Sequence, residues 1–185
     1  EKSYPSLQTL KKVLDPLIYK TFDIAVFTAF LIFFVRYAIG TLGMPGTIVS
    51  IIVAFESLIF GFSEILIGRY ANVERKRFWV KWGALIHIVG IGILIFSNSI
   101  PLFFFSSGLI GLAGAFIDVW CYSRLCETVE VSKRGILFST FSLSHDLATI
   151  TGSGLPAVAT FFAINPFVSM MIFPSIIFIY SFKNK

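Results

Sequence analysis

The chain has 185 residues, 56% of them hydrophobic and 17% aromatic, with a mean hydropathy of +0.86. Charged residues make up only 14%, too few to coat a water-soluble domain, so lipid is the expected solvent for most of the surface. The net charge of +5 is confined to a few segments, where it reads as a topology signal and a match to anionic inner-leaflet lipid; nucleic-acid binding is excluded on that ground.

Residues 1–20 read as a cytoplasmic tail. Leu7, Leu10, Leu14 and Leu17 recur at helical spacing beside Lys11 and Lys12, the pattern of a short amphipathic segment on the inner membrane surface, perturbed at Pro16. Charge interrupts these apolar residues and no small-residue cleavage site follows, so a cleavable signal is not expected. Six apolar stretches come next, at about 21–40, 47–67, 78–96, 101–122, 136–163 and 166–182. Each is near the ~20 residues that carry a helix across ~30 Å of hydrocarbon. The predicted architecture is therefore an all-α membrane protein with six transmembrane helices over 21–182 and a short cytoplasmic tail at 183–185.

Fourteen of the 15 Lys and Arg residues fall in the tails and in alternate gaps. Lys2, Lys11, Lys12 and Lys20 precede the first span, and Arg69, Arg75, Lys76, Arg77 and Lys81 surround the second gap. Arg124, Lys133 and Arg134 surround the fourth, and Lys183 and Lys185 close the chain. The positive-inside rule then places both termini in the cytoplasm. Arg36, the remaining basic residue, sits near the outer end of the first span, where it can snorkel to headgroups. Cys121 and Cys126 lie near the cytoplasmic end of the fourth span, on a reducing side, and read as small side chains rather than redox or metal groups.

The second gap holds the most specific motif, running from Glu64 through Gly68, Ala71 and Asn72 to Lys76 and Arg77. It resembles the loop between the second and third helices of the major facilitator superfamily, with Asn72 in place of an Asp and Arg75 in place of a Gly. Glu127 and the pair Arg134-Gly135 are similar to the residues framing that family's fourth-to-fifth loop. Gly111-Leu112-Ala113-Gly114-Ala115 is similar to its fourth helix, with Ser107 where many members have arginine, and Gly152-Ser153-Gly154-Leu155-Pro156 resembles the Gly/Pro motif of the fifth. The resemblance implies one six-helix half of a twelve-helix transporter. It also implies an inner-gate set of Gly68, Asn72, Lys76, Arg77, Asp118, Glu127 and Arg134, with Asp118 paired to Arg77 or Arg124. A glycine at Gly68 would let helices approach closely. Two such halves are related by an axis along the membrane normal, so a homodimer, or pairing with other membrane subunits, is the expected assembly.

Polar residues inside spans are costly and usually face a bundle interior or water. Ser139, Ser142, Asp146, Thr149 and Ser153 form one stripe on the fifth span with His145 beside it, and Glu56 sits near the middle of the second. Ser107, Gly111, Gly114 and Asp118 share a face of the fourth. Glu56, Ser142, His145, Asp146 and Thr149 are thus candidates to line a cavity or carry protons. His87 shares a face with Gly83 and Gly90 and reads as a packing residue. Enzymatic chemistry finds no footing. Thr151 occupies the first position of what would have to be Gly-x-Ser-Gly, both histidines precede Ser153, and adjacent His145 and Asp146 point about 100° apart on a helix. Neither metal nor cofactor is expected. Two functions remain: a secondary transporter built from paired halves, and a transporter-derived structural subunit, which the uncharged Asn72 favours.

Overall fold

A computed structural model describes residues 7–70, 76–129, 134–162 and 164–183. Among them the regular elements are all helical. Helix α1 (Leu7–Ala29) runs through a π-helical turn (Phe30–Phe34) into α2 (Val35–Gly40). Then come α3 (Gly46–Tyr70), α4 (Lys76–Phe96), α5 (Ile100–Thr128), α6 (Arg134–Phe161), α7 (Pro166–Met170) and α8 (Ile172–Lys183).

Four helical segments are long and apolar enough to cross a membrane: Val13–Gly40, Gly46–Tyr70, Phe78–Phe96 and Ile100–Thr128. They match the first four predicted spans. Helix α6 has the length, at 28 residues, but its hydroxyls with His145 and Asp146 dilute its hydropathy below that of a span. The last apolar segment, Pro166–Phe182, is shorter and its helix is interrupted at Met171.

Helix α5 is central and packs on α3, α4 and α1, while α6 packs on α1 and α8 on α4. Glycines set the closest of these contacts. A Cβ at Gly111 would lie 2.4 Å from the Glu56 carbonyl oxygen of α3, one at Gly152 would lie 2.4 Å from that of Ala25 in α1, and one at Gly83 would meet the Ile117 side chain at 2.7 Å. Such contacts allow dense van der Waals packing where lipid offers no hydrophobic drive between helices. Gly68 differs from expectation: a Cβ there meets nothing within 4 Å, so no helix packs against it among the described residues.

Two apolar clusters flank the middle of the bundle. The first centres on Phe30, Phe34, Phe103 and Phe167, with Phe30 and Phe34 stacked at 5.0 Å across the π turn. The second joins Val13, Tyr19, Trp120, Leu125 and Ile177. Tyr19 meets Trp120 edge-on at 5.1 Å, and the Tyr180 hydroxyl donates to Asp15 Oδ1 at 3.0 Å. These contacts draw the start of α1 into the bundle, so the helix continues through Pro16. Leu14 is exposed and Leu17 packs against the second cluster. Lys20, assigned to the tail on its charge, lies inside the bundle instead.

Candidate functional site

Between the two apolar clusters lies a cavity of ≈ 320 Å³ with ionisable side chains in its walls, which are formed by α1, α3, α4 and α5 and reached by His145 of α6. Helical spacing brings its groups together. Lys20 and Asp23, three residues apart, share a face of α1, as do Gly111, Gly114 and Asp118 on α5. Gly111 lets α3 close on α5 and so brings Glu56 to the wall. Glu56 is ten residues into α3 and Asp118 is ten residues from the end of α5, which at 1.5 Å per residue puts each about 15 Å along its helix from that end.

Five ionisable side chains are buried here: Lys20 at 9% exposure, Asp23 at 5%, Asp118 at 4%, Glu56 at 2% and His87 at 1%. The Lys20 ammonium donates a hydrogen bond to Asp118 Oδ1 and lies 3.7 Å from Asp23 Oδ2. The other oxygen of Asp23, Oδ1, is 3.9 Å from His87 Nδ1. His87 hydrogen-bonds the backbone carbonyl of Ile110, and its Nδ1 has no hydrogen-bond partner among the described residues. The bond to Ile110 therefore uses Nε2 as donor, which leaves Nδ1 as a bare acceptor. Glu56 accepts from Ser57 Oγ at 3.1 Å, and no basic side chain among the described residues pairs with it. Buried charges persist only when paired, yet Asp23 and Asp118 share one ammonium here and Glu56 has none. The arrangement can take up protons or a cation.

The expected site residues divide in two. Glu56 and His145 line the cavity, His145 from its rim with 63% of its side chain exposed. Asp146, 77% exposed in its side chain, and Ser142 lie on the outer face of α6. Thr149 is half-buried and donates to the His145 carbonyl. Within the inner-gate set, Asp118 pairs with Lys20, because α1 presents Lys20 to α5 at that level. Arg124 instead lies 3.9 Å from Glu127 on its own helix. Gly68 is exposed at the end of α3. Asn72 lies outside the described residues, as do the side chains of Lys76, Arg77 and Arg134. His87 sits in the glycine seam of α4 as expected, but also faces the cavity. Cys121 is buried, with its thiol directed at the Pro16 carbonyl.

Lys20 and Asp23 were not read as site residues from the sequence. Asp23 inside an apolar stretch, with Lys20 three residues before it, was the available signal; it is hidden once Lys20 is counted with the tail. No group of three or more His, Cys, Asp or Glu side chains among the described residues is placed to hold a metal ion. No protein-family model matches the chain, and no curated protein matches it.

Proposed function

We propose that this chain is one six-helix half of a secondary active transporter of the major facilitator type, moving a small solute by alternating access with both termini in the cytoplasm. The observation that carries this reading is the cavity inside the helical bundle with more carboxyl groups than cations in its walls. Transporters of this architecture hold substrate and coupling ions near the bilayer midplane, between two halves. A carboxyl group inside a membrane bundle without a fixed counter-ion can carry a proton, and on this reading Glu56 has that role. The cavity reaches the exposed His145 of α6, so a second unit, another copy or a different membrane subunit, would cover that side and complete the pathway.

The competing role is a structural subunit of a larger membrane complex, which the exposed pair His145 and Asp146 also fits, since hydrocarbon does not solvate it. Gently solubilised protein should first be weighed in native form and then reconstituted into vesicles loaded with a pH-sensitive dye. A symmetric dimer that moves protons when a member of a panel of amines, carboxylates or sugars is added supports transport. A large hetero-complex with no evoked proton movement supports the structural role.

A further inference from the structure

With Asp23 ionised, His87 Nδ1 and Asp23 Oδ1 are both acceptors, they face one another across 3.9 Å, and the imidazole nitrogen has no hydrogen-bond partner among the described residues. That separation is too long for a hydrogen bond, and two acceptors cannot satisfy each other. A single donor atom bearing two or more hydrogens can reach both. Lys20 does not fill this place: its ammonium is engaged by Asp118 and by the far oxygen of Asp23. Charge selects between donors, because an ionised Asp23, whose Oδ1 Lys20 does not reach, holds a cationic donor more strongly than a neutral one. Ile24, Phe27, Phe60 and Ile110 form an apolar part of the wall that suits a small hydrocarbon body.

We propose that the cavity is a binding site for a small organic ammonium cation, whose N–H groups bridge His87 Nδ1 and Asp23 Oδ1 while its apolar part lies against Phe27 and Phe60. This rests on the reading of the cavity as the solute site and names the solute's chemical class. Lys20 then acts as a resident ammonium holding Asp118 and one oxygen of Asp23, which leaves the other oxygen and His87 to the ligand.

Three probes of one shape separate the possibilities: butylammonium, 1-butanol and butyrate, titrated by ligand-observed NMR against the purified assembly in lipid nanodiscs, with empty discs as blank. Butylammonium should bind saturably and roughly tenfold or more tighter than butanol, and butyrate should not bind. Asp23→Asn and His87→Phe should each weaken butylammonium by roughly tenfold or more, while Gly154→Ala, which faces open space, should leave it unchanged. Equal binding of butanol would mean that a neutral donor such as water suffices, and would overturn the proposal. Preference for butyrate, or no saturable binding at all, would overturn it too. Should either variant fail to fold, the order of the three probes on the unaltered protein decides. Saturable amine binding without solute-evoked proton movement keeps this inference and removes the transport reading; evoked movement by another solute class without amine binding does the reverse.

Discussion

Lys20 of α1 donates to the carboxylate of Asp118 in α5, 98 positions further along the chain, and this bond fixes two helices at the level of the cavity. Both groups are buried, so removing one partner strands a charge in a low-dielectric bundle. Lys20→Met should cost about 3–5 kcal/mol of stability, read as reversible unfolding in detergent. Because Asp23 also leans on Lys20, adding Asp118→Asn alone should recover only part of the loss. The triple change Lys20→Met, Asp23→Asn, Asp118→Asn should recover most of it. Additive losses would show that the three do not act as a unit.

Close helix contact makes a second prediction, which separates glycines that sequence treats alike. A methyl group at Gly111 or Gly152 meets backbone atoms that cannot turn aside, so Gly111→Ala and Gly152→Ala should each cost about 1–3 kcal/mol through overpacking. Gly68→Ala meets nothing and sits in a helix, where alanine is the better former by about 1 kcal/mol. Its melting temperature should hold or rise. A loss at Gly68 equal to that at Gly111 would mean that the described packing does not limit stability.

Hydropathy made the first four spans legible, because their apolar runs are long and nearly free of charge. Helices α6 to α8 were harder to assign for opposite reasons: α6 carries polar groups along its length, and the last apolar segment is short and broken at Met171. Spacing alone placed Ser107, Gly111, Gly114 and Asp118 correctly on one face of α5. It could not say that Asp118 would meet Lys20, since a pairing 98 positions apart depends on how α1 packs. The stripe through Asp146 shows the limit of periodicity. A polar face tells which residues look the same way, and only the neighbours tell whether that way is inward. The π turn at Phe30–Phe34 left no mark in the sequence pattern.

Membrane orientation gives the third prediction. Lys20 is buried, yet Arg69, Arg75, Lys76, Arg77 and Lys81 still surround the gap between α3 and α4, and Arg124, Lys133 and Arg134 that between α5 and α6, so the positive-inside argument keeps its direction. With Cys126 replaced by serine, a cysteine at exposed Asn98 should react with an impermeant thiol reagent added outside intact cells. Native Cys126, exposed near the end of α5, should react only after the membrane is opened. Labelling of Cys126 from outside would invert the orientation.

The fourth prediction concerns which acid carries the coupling proton. Asp146 is on the outer face of α6, whereas Glu56 is 2% exposed, lines the cavity and, among the described residues, has only Ser57 as a hydrogen-bond partner. A proton that moves with a solute must be held where the solute's presence is felt, which favours Glu56. In vesicles carrying a pH gradient, Glu56→Gln should lower gradient-driven uptake of the transported solute by roughly tenfold or more while leaving solute exchange intact, since the amide keeps the shape of the acid and cannot release a proton. Asp146→Asn should leave the driven rate essentially unchanged, and its effect, if the α6 face meets a partner, should appear in the native mass of the assembly. Driven uptake that survives Glu56→Gln and is lost in Asp146→Asn would return the coupling role to α6 and place the proton path on the outer face of the chain.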